Sequence, residues 1–133
     1  MRFWSPTLKV VIAAVCIGLL LTTTAAAAGY NVATRLTINA PGHVNRGKAF
    51  SITGELRSSR SFCRAHSKIK LVKKGVGVID TATTSRSGDY AFRVTIRAPS
   101  RFLTKFAGKV SGVHPNIKTC RASRSDTLRV RAT

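Results

Sequence analysis

The sequence predicts an all-β protein, an antiparallel sandwich of two sheets with about seven strands, preceded by an N-terminal signal helix. Three observations carry that expectation. In residues 87–97, Tyr90, Phe92, Val94 and Ile96 fall on one side and Ala91, Arg93, Thr95 and Arg97 on the other, the period of two that a half-buried strand requires. Similar short runs recur along the chain, separated by Gly, Pro, Ser and Asn turns. No stretch beyond the first thirty residues has useful amphipathic helical spacing. A strand with one apolar face needs a second sheet to cover it.

The chain has 133 residues and a formal charge of +19, with 23 Lys and Arg against four acids. That length accommodates one domain with a real core. Arg2 and Lys9 bracket a basic start, residues 10–21 are apolar, and small residues follow up to Ala28. This is the layout of a secretory signal peptide at residues 1–28, cleaved before Gly29 at the Ala26-x-Ala28 pattern. The alternative is an uncleaved anchor, since residues 10–28 could just span a bilayer. Cys16 sits in the middle of the apolar run after Val15 and reads as an ordinary residue of the signal, not as a lipidation site.

Residues 29–33 read as a short linker and 34–133 as the sandwich domain. The first strand is expected over residues 35–40, with Leu36, Ile38 and Ala40 on one face, ended by Pro41-Gly42. The second covers 48–56, where Phe50, Ile52, Gly54 and Leu56 alternate with polar residues. Residues 57–67 have no sustained period and read as a basic loop. Ile69 and Leu71 mark a third strand over 68–73. Residues 76–84 are β-branched with neither face cleanly apolar, which suits an edge strand. The strand described above follows the Arg86-Ser-Gly88 turn. Phe102, Thr104 and Phe106 share a face in residues 101–109. A second loop, 111–123, leads to a last strand over 126–132 with Leu128 and Val130 inward.

Taken together, Phe50-Ser-Ile-Thr-Gly-Glu-Leu56, Ile69-Lys-Leu-Val72, the Thr-rich run from Asp80 leading to Gly88-Asp-Tyr-Ala-Phe-Arg-Val94, and the closing Leu128-Arg-Val130 resemble bacterial immunoglobulin-like domains of secreted and surface proteins. The resemblance extends over residues 34–132. Gly-x-Tyr-x-Phe-x-Val after a Thr-rich strand also occurs in transthyretin-like and related sandwiches. The chain departs from antibody-type domains in lacking their central Trp and their pair of cysteines in opposing strands. The resemblance implies a fold and a secreted or cell-surface location, and transfers no catalytic residue.

Cys63 and Cys120 are the two cysteines beyond the signal, an even count in a chain marked for an oxidising compartment, so a disulfide is expected. In a Greek-key order the loops that carry them lie at the same end of the sandwich. A zinc set of Cys63, His66, His114 and Cys120 is the competing reading, although the six-residue step from His114 to Cys120 is wider than zinc sites commonly use. Either way the two loops meet. They would then gather Arg57, Arg60, Arg64, His66 and Lys68 with Lys109, His114, Lys118, Arg121 and Arg124 into an anion-binding end, with Arg57, Arg60, Arg64, Lys118, Arg121 and Arg124 as its binding residues, since Arg grips phosphate, sulfate or carboxylate with paired hydrogen bonds. The alternative is that these residues are solvated and merely share the chain's general charge.

Charge alone attracts polyanions in a salt-dependent way. Nucleic acid binding is expected to be non-specific only, because Phe50, Tyr90, Phe92, Phe102 and Phe106 fall on inner faces and leave only Phe62 and Tyr30 for stacking. Contact with a membrane is expected only through the signal segment if it stays uncleaved. No enzyme is expected: Glu55, Asp80, Asp89 and Asp126 fall on different strands or turns, and no nucleophile elbow, His-Glu-x-x-His or phosphate loop is present. No cofactor or metal is expected. These observations imply a secreted or cell-surface structural or binding module, with anionic envelope or matrix polymers as ligands of the basic loop end. The alternative is a secreted cationic effector that adsorbs to anionic membranes or polyanions.

Overall fold

The computed structural model describes residues 30–133. The expected signal segment, its cleavage point and Cys16 lie outside the described residues. Twelve strands follow in order, β1 (Tyr30–Val32), β2 (Thr34–Leu36), β3 (His43–Val44), β4 (Ala49–Ser58), β5 (Lys68–Lys73), β6 (Gly77–Thr83), β7 (Asp89–Thr95), β8 (Ser100–Phe106), β9 (Lys109–Ser111), β10 (Lys118–Cys120), β11 (Ser123–Arg124) and β12 (Leu128–Ala132), with one helical turn, α1 (Ser61–Arg64), between β4 and β5.

One layer is the sheet β2-β4-β7. The other is β3-β12-β8-β5-β6, with β11 also paired to β8. Seven of these strands, β2, β4 and β7 facing β12, β8, β5 and β6, correspond to the expected set. Their inward residues are those the alternation marks: Phe50, Ile52 and Leu56 of β4, Tyr90, Phe92 and Val94 of β7, Ile69 and Leu71 of β5, Phe102 and Phe106 of β8, and Val130 of β12 are all buried in one cluster. Each such side chain contributes about 1.5–3 kcal/mol by leaving water. Phe50 and Phe102 meet edge to face across the layers, with ring centroids 6.4 Å apart.

Strand β7, with the clearest alternation in the chain, runs beside β4 in an unbroken antiparallel register from Ala49↔Thr95 to Glu55↔Asp89. Gly54 lies opposite Tyr90 in that register, and a Cβ there would collide with the Tyr90 ring and the Thr37 carbonyl. The Tyr90 hydroxyl donates to the Thr37 carbonyl and shares a 3.0 Å hydrogen bond with Thr104 Oγ1 of β8. One side chain thereby ties the two layers together.

Strand β6 is an edge strand, as its mixed faces suggest. Val78 and Ile79 are exposed, and no Lys or Arg occurs from residue 75 to residue 85.

Four expectations need correction. Strand pairing is not wholly antiparallel: β1–β10 and β3–β12 are parallel. The loop at 57–67 contains α1, too short to leave a helical period in the sequence. Residues 101–109 do not form one strand, because Gly108, with φ of 98°, bends the chain between β8 and β9. The loop at 111–123 holds β10 and the first residue of β11. In addition, β1 forms within residues 29–33, and its Val32 is buried in the core cluster.

Candidate functional site

The end of the sandwich that carries the cysteines is built by the third sheet, β1-β10-β9, together with α1. Cys63 of α1 and Cys120 of β10 form a disulfide, with Cα atoms 5.7 Å apart and both residues buried. The bridge uses both sulfurs, which removes the zinc alternative. His66 follows α1 with φ of 51° and turns the chain toward β5.

A helix this short leaves its last carbonyls without partners. Here the Ala65 amide takes the Ser61 carbonyl, and side chains take those of the next four residues. Lys109 Nζ of β9 donates to the Phe62 and Ala65 carbonyls at 2.8 and 2.9 Å and to Ser67 Oγ at 3.3 Å. Ser67 Oγ donates to the Cys63 carbonyl, and Thr84 Oγ1 to the Arg64 carbonyl. Ser67 and Thr84 are themselves buried. Lys109 is thus a structural cation, its three protons spent on oxygens of the protein.

Four of the six expected cations share this end. Arg60, just before α1, stands over the Tyr30 ring at 5.3 Å, and Lys118 over the Phe62 ring at 5.6 Å. Tyr30 and Lys118 are direct partners in the β1–β10 register, so cations and rings interleave. The two aromatics that sequence reasoning left free for base stacking are each covered by a cation. Arg121 follows β10, its amide donating to the Val32 carbonyl. Arg64 closes α1 and spends one guanidinium hydrogen bond on the Ser58 carbonyl at 2.8 Å.

The remaining two are placed differently. Arg57 is paired with Glu55 at 2.7 Å, the one ion pair among the described residues. Arg124 lies on β11, opposite Lys105 of β8 on the second sheet. Nothing in the run Arg121–Arg124 signalled that β11 would leave the end sheet for the sandwich.

The four acids do not all stand apart. Glu55 and Asp89 are direct cross-strand partners at one end of the β4–β7 ladder, a register that spacing in the sequence cannot reveal. Each is already engaged, Glu55 by Arg57 and Asp89 by the Ser87 hydroxyl at 3.1 Å. Among the described residues no three His, Cys, Asp or Glu side chains cluster as metal ligands, and no helix is long and apolar enough to cross a membrane.

No protein-family model matches the chain, and no curated protein matches its sequence. Solved structures do match in fold. A CARDB domain from Pyrococcus furiosus, determined in solution, superposes with a TM-score of 0.51 at 11% identity, covering 75% of this chain and 94% of that one. The crystal structure of that CARDB domain in complex with di-metal ions gives 0.50 at 12% identity, covering 76% and 93%. A conjugative transposon lipoprotein from Bacteroides eggerthii aligns at 0.40 and 12% identity over 73% and 95%, too distant to support an argument. The fold is therefore that of an immunoglobulin-like β-sandwich domain.

Proposed function

We propose that the chain is an exported, non-catalytic immunoglobulin-like module that binds anionic polymers outside the cell through its disulfide-tied end. The observation that carries the reading is the interleaving of Arg60, Tyr30, Lys118 and Phe62 beside Arg64 and Arg121, with no acid among the described residues bonded to any of these cations. A cation resting on a ring keeps part of its surface open to an anion while its side chain is already ordered, which lowers the entropy cost of binding. The disulfide supports export, because such bridges persist in oxidising compartments. Cleavage of residues 1–28 belongs to the same proposal.

Retention of the oxidised protein on immobilised heparin tests the reading. The expected result is retention through moderate salt, and elution at clearly lower salt when Arg60, Arg64 and Arg121 are changed together to Ser. Elution of the unmodified protein at low salt, unaffected by those changes, would reduce the module to a purely structural role.

A further inference from the structure

We infer that a second, better-formed anion site lies on the outer face of the larger sheet, where Lys70, Lys105 and Arg124 line up across three adjacent strands. The inference deepens the polyanion reading above and rests on it. The register is explicit: Lys105 of β8 is the direct partner of Lys70 on β5 on one side and of Arg124 on β11 on the other. Their neighbours Leu71, Thr104 and Phe106 point into the core, so these three project from the opposite face, and all three are exposed. Like charges placed directly opposite each other in a sheet repel and destabilise it. The chain's four acids are Glu55, Asp80, Asp89 and Asp126, and none forms an ion pair with any of the three.

The row borders a recess rather than a flat surface. An open groove of about 450 Å³ is lined by Lys70, Lys105, Arg124, Phe106, Ala107 and Ala122. Its lining sets the three cations beside the apolar Phe106, Ala107 and Ala122. A second recess of about 460 Å³ shares Lys70, Phe106 and Ala107 with the first and adds His66 and Lys68. The two run together toward the end that carries the disulfide. A groove lined by both cations and apolar groups suits a chain of sugar-sized units bearing phosphate or sulfate esters: the tetrahedral oxyanions meet the row while the carbon skeleton covers the apolar part of the lining.

The test compares three triple variants of equal charge change in the intact, oxidised protein: Lys70→Gln/Lys105→Gln/Arg124→Gln on the row, Arg60→Gln/Arg64→Gln/Arg121→Gln at the disulfide end, and Lys48→Gln/Arg93→Gln/Arg97→Gln on and beside β4 and β7 of the opposite layer. Binding to heparin and to long-chain inorganic polyphosphate is followed against salt, and thermal melts verify each fold. The row variant is expected to lose roughly tenfold or more in affinity, with the slope of log affinity against log salt shallower by about two, and the opposite-layer variant to lose much less. Lys105→Gln alone should carry a large part of the loss. A row variant that weakens polyphosphate binding while leaving heparin binding unchanged overturns the sugar-based ligand, since polyphosphate has no carbon skeleton. Equal losses in all three variants overturn the row as a site while leaving polyanion binding standing, as does a loss confined to the disulfide-end variant. Loss of binding to phosphatidylglycerol vesicles, with both polymers unaffected, also overturns it. Failure of the unmodified protein to bind either polymer sinks the polyanion reading itself.

Discussion

Gly54 and Tyr90 show how a single pair can fix the spacing of the two layers. The glycine makes room for the ring, and the ring's hydroxyl reaches both the Thr37 carbonyl and Thr104 of the facing sheet. Gly54→Ala should therefore destabilise by about 1–3 kcal/mol, because backbone and ring must both move to accept one methyl group; denaturant unfolding reads the loss directly. Burial holds the Tyr90 phenol above its ordinary value of 10.0, with the Thr104 hydrogen bond pulling the other way. A raised acid favours the folded state only while it is protonated. Its contribution is thus complete below pH 10 and disappears as pH rises through the folded-state value. Tyr90→Phe should cost about 1–3 kcal/mol at neutral pH by leaving buried partners unsatisfied, and should flatten the fall in stability above pH 10. Melts from pH 7 to 11 on both proteins compare the two effects.

At the scale of elements, what could be read in advance depended on length. Strands β4, β5, β7 and β12 announce themselves because several alternations in a row leave a period that only a pleated, half-buried strand produces. Strands β1, β9, β10 and β11 have two or three residues each and leave none. The first three form where the disulfide and the parallel pairing of β1 with β10 bring distant segments together, and β11 where the chain returns to β8, none of which a local pattern encodes. The same reasoning explains the candidate site. Basic residues in 57–67 and 111–123 and a covalent link between those loops were legible, because composition and cysteine count need no register. Assigning Arg124 to the second sheet and Glu55 opposite Asp89 required the register itself. The role of Lys109 was equally hidden, since its partners are backbone carbonyls with no side-chain signature. Lys109→Met should release the Phe62 and Ala65 carbonyls, at a cost of about 1–3 kcal/mol. Hydrogen exchange should then speed up over residues 61–67 while the β4–β7 ladder keeps its protection.

The whole molecule combines a modest core with one cross-link and a large excess of one charge. Cys63 and Cys120 are 57 residues apart in sequence, so their bridge closes a long loop in the unfolded chain. The loop-closure model assigns it about 4 kcal/mol, a large share of what a domain of this size retains. Cys63→Ala/Cys120→Ala should lose about 2–5 kcal/mol in denaturant unfolding, and the disulfide-end sheet, which has little other apolar burial, should loosen first.

Strand β6 carries a different consequence. Proteins commonly keep open sheet edges from zipping onto one another by placing a lysine on the rail itself, and β6 has none. Asp80 is the one charged side chain on β6, so the expected guard is the positive field around the whole molecule, which reaches only as far as salt permits, about 10 Å at 0.1 M and 3 Å at 1 M. Light scattering should accordingly register clustering as ionic strength rises, and Val78→Lys, restoring a local guard, should suppress it.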